Sequence, residues 1–111
     1  MIEQIIIEYL NGVLSVPVSG DVPGNLPAMF VTVEKVGSRE VNRINTARIA
    51  VQSWSTSRAS AAALNEMVKA AMDNAVTLDS ISRSRCENDY NFTDLATKRP
   101  RYQAVYEVVY Y

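Results

Sequence analysis

The sequence contains no histidine and only one cysteine, Cys86, among its 111 residues. Without histidine, the serine–histidine and cysteine–histidine pairs that activate a catalytic nucleophile cannot form. A single cysteine excludes an intramolecular disulfide, and the usual nitrogen and sulfur ligands of a zinc site are missing. The sequence therefore predicts a protein that is not an enzyme and that has no catalytic residues, no metal and no cofactor.

The sequence also lacks an excess of either charge and lacks long apolar runs. It has 11 basic and 12 acidic residues, a net charge of −1. Nucleic acids and anionic membranes both attract proteins with a basic surface. No segment reaches the ~20 apolar residues needed to span a bilayer. A secretory leader begins with basic residues, and Met1 to Gln4 include none. We therefore expect a soluble protein from a reducing compartment, with neither a membrane nor sequence-specific nucleic acid as its partner.

The segment from Asn45 to Val76 reads as a strand followed at once by a helix. From Asn45 to Ser55 apolar and polar residues alternate, as a half-buried strand requires. From Ser57 to about Val76 the apolar residues recur every three or four positions, which is typical of a helix with one buried side. The hydroxyls of Ser55, Thr56 and Ser57 can cap the first turn. We predict that this helix is the main cover of a sheet in which Asn45–Ser55 is a central strand.

The rest of the chain supplies further elements within a single domain, 1–111. The predicted elements are a helix over Ile2–Leu14, a Pro/Gly-rich linker over Pro17–Pro27 in which Val16 and Val18 could form a short extended edge, a strand over Met29–Val36 ended by Gly37-Ser38, a weak edge strand over Ile81–Asn88 and a strand over Arg101–Tyr111. These predict an α+β fold with a mainly antiparallel sheet of about four strands, two helices on one face and the order α-β-β-α-β-β.

Two aromatic groups have alternative interpretations. Tyr102, Tyr106 and Tyr110 share one face of the last strand, so they either pack under the helices or form an assembly surface. With helices on one face only, Trp54, Phe30 or some of the C-terminal tyrosines would have to face water or a partner.

Two polar segments, Gly37–Asn45 and Asn88–Pro100, are the candidates for partner contacts. The first is either a large or mobile hairpin loop or a pair of strand ends projecting beyond the sheet. Long loops in a small domain are often functional, and mixed charge suits recognition of another protein. The predicted contact residues are Arg39, Glu40, Arg43, Asp89, Tyr90, Phe92, Asp94, Arg99 and Tyr111.

The order of these motifs resembles a known family. A helix leads into Val16-Pro17-Val18 and Leu26-Pro27, and Pro27-Ala28-Met29-Phe30-Val31-Thr32-Val33-Glu34 follows. Trp54-Ser55-Thr56-Ser57-Arg58 then opens an alanine-rich helix, and Arg101-Tyr102-Gln103 opens the last strand. This layout resembles the tail terminator, or tail completion, proteins of long-tailed bacteriophages, which include the lambda-type terminators and small minor tail proteins.

The resemblance implies a structural role without catalysis. Such a protein forms a ring, commonly a hexamer, that terminates the tail tube and joins the tail to the head. Its implied partners are other copies of itself, the tail tube protein and the head connector or completion protein. It would be made in the host cytoplasm and reside in the virion, at the head-proximal end of the tail. The alternatives are a head-completion or connector adaptor protein, or a small dimeric ligand-binding α+β module.

Overall fold

The computed structural model describes residues 2–25 and 27–111. In chain order the elements are α1 (Ile2–Val13), β1 (Val18–Ser19), β2 (Phe30–Val41), β3 (Ile44–Trp54), α2 (Arg58–Asp73), a 3-10 turn (Ala75–Thr77), β4 (Ile81–Asn91) and β5 (Arg101–Tyr110). The strands form one sheet in the order β1-β2-β3-β5-β4. The α+β class and the two helices are confirmed.

The predicted sheet of about four strands with the order α-β-β-α-β-β is wrong. The sheet has five strands and is mixed, because β1 pairs in parallel with β2 through Val18 and Val31 and through Ser19 and Thr32. The other three pairings are antiparallel. A two-residue strand has no periodicity to recognise, and it lies among prolines and glycines that indicate turns.

The central strand and its covering helix are confirmed. β3 lies in the middle of the sheet, between β2 and β5. α2 packs on β3, β5 and β4, while α1 packs on β1 and β2. The Ser57 hydroxyl accepts a hydrogen bond of 3.1 Å from the Ser60 amide, so it caps the first turn of α2. The Tyr9 hydroxyl donates to the Ala71 carbonyl at 2.7 Å and ties the two helices together.

The predicted strand end at Gly37-Ser38 is wrong. β2 continues to Val41, and an irregularity in its register between Lys35 and Gly37 absorbs the interruption. A two-residue turn, Asn42-Arg43, joins β2 to β3 with positive φ angles of 53° and 67°. The first polar segment therefore forms projecting strand ends and not a large loop.

The second half of the sheet settles the tyrosine alternatives. β4 is an edge strand, as expected, but it runs on to Asn91, so the polar connection shrinks to residues 92–100. Tyr106 is fully buried in the core between sheet and helices, and Tyr102 and Tyr110 are half-buried. This tyrosine face is therefore core.

Candidate functional site

The side of the sheet opposite the helices, here called the helix-free face, carries most of the exposed recognition chemistry. β3 presents Arg48, Ala50, Gln52 and Trp54 to it, while Ala47, Ile49 and Val51 lie in the core. No helix among residues 2–25 and 27–111 covers this face. It has three zones, described here from one end of the sheet to the other.

At one end, called the loop end, residues 92–100 fold back over two aromatic rings. Phe30 and Trp54 stack with their centroids 5.3 Å apart. The Arg101 guanidinium lies between Trp54 and Phe92, 4.6 Å and 4.3 Å from the two ring centroids. The Arg99 guanidinium lies 5.4 Å from the Phe30 centroid. Phe30 and Trp54 are therefore buried, and among the aromatic residues expected to face water or a partner it is the C-terminal Tyr111, 81% exposed, that does so.

Arg99 links this loop to the segment that directly precedes β2. Its Nη2 atom donates to the carbonyl oxygens of Pro27 and Ala28, at 2.6 Å and 2.8 Å. The loop also has its own support, because the Asp94 carboxylate accepts a 2.6 Å hydrogen bond from the Thr97 hydroxyl. That hydrogen bond holds the pKa of Asp94 below its ordinary value. Leu95 at the loop tip is 91% exposed.

Beside the aromatic rings, one polar row crosses four strands. Trp54 Nε1 donates to Thr32 Oγ1 at 3.1 Å, and Thr32 Oγ1 donates to Gln52 Oε1 at 2.5 Å. Gln52 Nε2 donates to Gln103 Oε1 at 2.7 Å, and Gln103 Nε2 donates to the Tyr90 hydroxyl at 2.6 Å. The side-chain amides of Gln52 and Gln103 each accept one hydrogen bond and donate another. Because every side chain in the row holds its neighbour, the row is a rigid platform.

The middle zone is a shallow concavity with charged walls. Its volume is about 430 Å³, and it is lined in part by the small or apolar residues Ala50 and Val105. Arg48 pairs with Glu87 at 3.0 Å. The Glu107 carboxylate forms ion pairs with Arg85 at 3.6 Å and with Arg83 at 4.0 Å. The three arginine side chains are more than half exposed, whereas the Glu87 and Glu107 side chains are 24% and 22% exposed. Each pair therefore contributes little to stability and leaves its arginine accessible to a partner.

At the other end, called the hairpin end, apolar side chains are exposed in a row. Val41 lies opposite Ile44 across the β2–β3 turn. Asn45 pairs with Tyr110, so Tyr111, the next residue, comes beside Ile44. Val41, Ile44 and Tyr111 are 58%, 55% and 81% exposed. The next row places Arg39 and Arg83 at its two ends, across Thr46 and Val109.

The predicted contact residues fall into three groups. Arg39, Glu40, Arg43 and Tyr111 come together at the hairpin end, all exposed. Tyr90, Phe92, Asp94 and Arg99 come together at the loop end, where Phe92 meets Tyr90 edge-on with 5.8 Å between centroids. Asp89 stands apart, because it lies under α2. Sequence reasoning missed Val41, Ile44 and Arg83, whose only signal was alternation within segments interpreted as loop or weak strand.

Asp89 takes part in a polar contact with α2. Lys69 pairs with Asp89 at 3.1 Å, and Asn65 donates to Asp89 at 3.4 Å. Hydrogen bonds to Asp89 and Glu66 raise the pKa of Lys69. Burial raises the pKa of the half-buried thiol of Cys86, so this residue is a thiol rather than a nucleophilic thiolate.

Two further tests concern metal and membrane. Within residues 2–25 and 27–111, no three histidine, cysteine, aspartate or glutamate side chains are grouped as metal ligands. In the same part of the chain, the helices are too short or too polar to cross a bilayer.

Comparison with known proteins adds no family assignment. No protein-family model matches the chain, and no curated protein matches it significantly. The resemblance to tail terminators, the non-enzymatic role and the virion location therefore stay predictions.

Proposed function

We propose that this chain is the subunit of a ring that terminates a bacteriophage tail tube and joins the tail to the head. The observation that carries the proposal is the helix-free face, whose hairpin end exposes Val41, Ile44 and Tyr111 side by side. Contiguous exposed apolar residues with a polar rim are typical of protein–protein contact sites. The resemblance of the sequence to tail terminators gives the biological setting.

The free strand edges also favour assembly. β1 pairs with β2 only at Val31 and Thr32, so from Glu34 to Val41 the edge of β2 that faces away from β3 has no neighbouring strand among the described residues. Its side chains are exposed throughout. The Glu3 carboxylate of α1 accepts a hydrogen bond from the Lys35 amide at 2.7 Å, and the part of the edge beyond it is an aggregation hazard in a monomer. Head-to-tail contacts that close into a ring would shield such an edge.

The proposed mechanism is geometric and uses the two ends of an elongated molecule. The longest dimension is 43 Å, with the hairpin end and the loop end at opposite ends of the sheet. If one end makes the ring, the other remains available for the tail tube or the head connector. The loop end suits this second role, because Leu95 and Phe92 project there from a loop held in place by Arg99. Binding to the last tube ring would stop its growth and present a docking surface.

The experiment that tests the proposal is the solution mass of the purified protein. Light scattering is measured across a range of concentrations and salt, followed by negative-stain electron microscopy. We expect a monomer that becomes a hexamer as concentration rises, and rings in the images. A mass that stays monomeric throughout, or a dimer that no condition changes, would contradict the proposed ring.

A further inference from the structure

The hairpin end forms a basic patch with an apolar centre. Its centre is the exposed row of Val41, Ile44 and Tyr111. Its rim consists of Arg39, Arg43 and Arg83. Glu40 pairs with Asn45 and so alternates to the opposite face of the sheet, and the carboxylate of Glu107 on the same face already pairs with Arg85 and Arg83. The basic patch therefore suits a partner surface with an apolar centre and an acidic rim.

The same chain carries a surface of that complementary kind, here called the acidic turn. It lies where α2 ends and the 3-10 turn follows, and Val76 is 46% exposed there. Asp73 and Asp79 are exposed on either side of Val76 in sequence. No lysine or arginine occurs between residues 70 and 82. In sequence, the acidic turn thus has an exposed apolar residue between two exposed carboxylates, with no lysine or arginine among their neighbours.

The two surfaces lie on opposite faces of the sheet. The acidic turn follows α2, on the helix side of the sheet, whereas the basic patch lies on the helix-free face. Both are at the hairpin end, because Tyr111 donates its amide to the carbonyl of Ser80 at 3.0 Å, directly after Asp79. Two different surfaces on opposite faces of one subunit produce head-to-tail contacts, which close into a ring when the rotation permits.

We propose that the basic patch of one copy packs on the acidic turn of the next, and that this is the subunit contact of the ring. This inference rests on the proposed self-assembly and adds the two surfaces that form it. Charge complementarity selects the partner surface and its orientation. Burial of Val41, Ile44 and Val76 supplies the apolar contribution to binding.

A reciprocal charge exchange tests the pairing. One variant carries Arg39→Glu and Arg43→Glu, so both of its surfaces are acidic. A second carries Asp73→Lys and Asp79→Lys, so both are basic. All four side chains are exposed, and a lysine at position 73 suits the C-terminal end of α2. We expect each variant alone to remain monomeric at concentrations where the wild-type chain forms rings, and an equimolar mixture to recover the ring mass.

Two control variants have the same changes in net charge at other exposed positions. Arg58→Glu with Lys98→Glu matches the acidic variant, and Glu8→Lys with Asp21→Lys matches the basic one. Both controls should assemble like the wild-type chain. Circular dichroism and thermal unfolding confirm that every variant is folded before its mass is measured.

The outcomes separate this inference from the proposed function. Recovery of the ring mass only on mixing supports the pairing of the two surfaces. If each variant still assembles alone, or if the mixture remains monomeric, the pairing is overturned while wild-type rings leave the proposed function intact. If the wild-type chain itself never assembles, the proposed ring fails, and the inference fails with it.

Discussion

The turn between β2 and β3 is strained at one residue. Asn42 and Arg43 both have positive φ angles, 53° and 67°. Hairpins joined by two such residues match the natural twist of the strands, and asparagine followed by glycine is the preferred pair. Asn42 fits that preference and Arg43 does not. An arginine that adopts this conformation in place of glycine suggests a role for its side chain, which agrees with its position in the basic patch.

Replacing Arg43 with glycine should therefore stabilise the monomer and weaken assembly. We expect the free energy of unfolding to rise by about 1 kcal/mol, because a left-handed conformation costs an ordinary L-residue roughly that much. Urea denaturation of dilute protein gives the value. The matched control is Arg39→Gly, within β2, which should lower stability by ~0.5–1 kcal/mol. Destabilisation by Arg43→Gly would show that the turn is not strained.

Among the structural elements, residues 92–100 act as a strap over the loop end of the helix-free face. The strap continues the antiparallel pairing of β4 and β5, since the Phe92 amide donates to Arg101 at 2.7 Å and the Asp94 amide to Arg99 at 3.1 Å. Arg99 of the strap then lies over Phe30, and Arg101, the first residue of β5, lies between Trp54 and Phe92 of the strap. This short polar segment therefore covers aromatic residues on the face that the two helices leave open.

Truncating Arg99 to alanine should loosen the strap. The carbonyls of Pro27 and Ala28 would lose their hydrogen bonds and Phe30 would lose its cation contact. We expect a loss of about 1–3 kcal/mol in stability. Trp54 is the only tryptophan, so its fluorescence reports the strap directly and should shift to longer wavelength.

The control for this change is Lys98→Ala in the same loop, where the side chain is exposed. Its emission and stability should match those of the wild-type chain. An Arg99→Ala variant with unchanged Trp54 emission would mean that Arg101 and Phe92 hold the strap without Arg99.

At the scale of the whole molecule, one buried tyrosine links stability to pH. Tyr106 is fully buried, and its hydroxyl has no hydrogen-bond partner within the described residues. Burial raises the pKa of Tyr106 well above the ordinary value of 10.0. In the unfolded chain this phenol ionises above about pH 10. The unfolded state then binds fewer protons than the folded state, so stability must fall as pH rises above that value.

Tyr106→Phe should remove this part of the alkaline decline. At pH 7 we expect its stability to equal the wild-type value or exceed it by about 1 kcal/mol, since no hydrogen bond is lost. Tyr9, Lys69 and Cys86, whose pKa values are also raised, are present in both proteins, so the difference reports Tyr106 together with its interaction with the neighbouring Cys86 thiol. Denaturation at pH 7 and near pH 11 measures it, with Tyr102→Phe as the control. Parallel pH profiles for wild type and Tyr106→Phe would contradict the prediction.

Sequence reasoning succeeded where a short stretch of chain contains the whole signal. The helical spacing of α1 and α2, the serine cap at Ser57 and the alternation in β3 and β5 are local patterns, and each element formed as expected. The clustering of Arg39 and Arg43 also followed, because neighbours in sequence remain neighbours in a hairpin.

Other features depended on residues far apart in the chain. β1 becomes a strand only because β2 lies beside it. Likewise, Arg39 and Arg83 share a row only because β4 joins the far side of β5. Gly37-Ser38 indicates a break, yet pairing with β3 carries β2 through it.

Composition and periodicity are properties of the chain alone, and they were enough to predict the α+β class, the central strand, the covering helix and the absence of histidine chemistry. Which aromatic rings are buried, which arginines lie beside the exposed apolar row and where the acidic turn lies relative to them could be read only from the folded chain. Those properties come from long-range packing: Arg99 reaches Pro27 across most of the chain, and no local pattern encodes that contact.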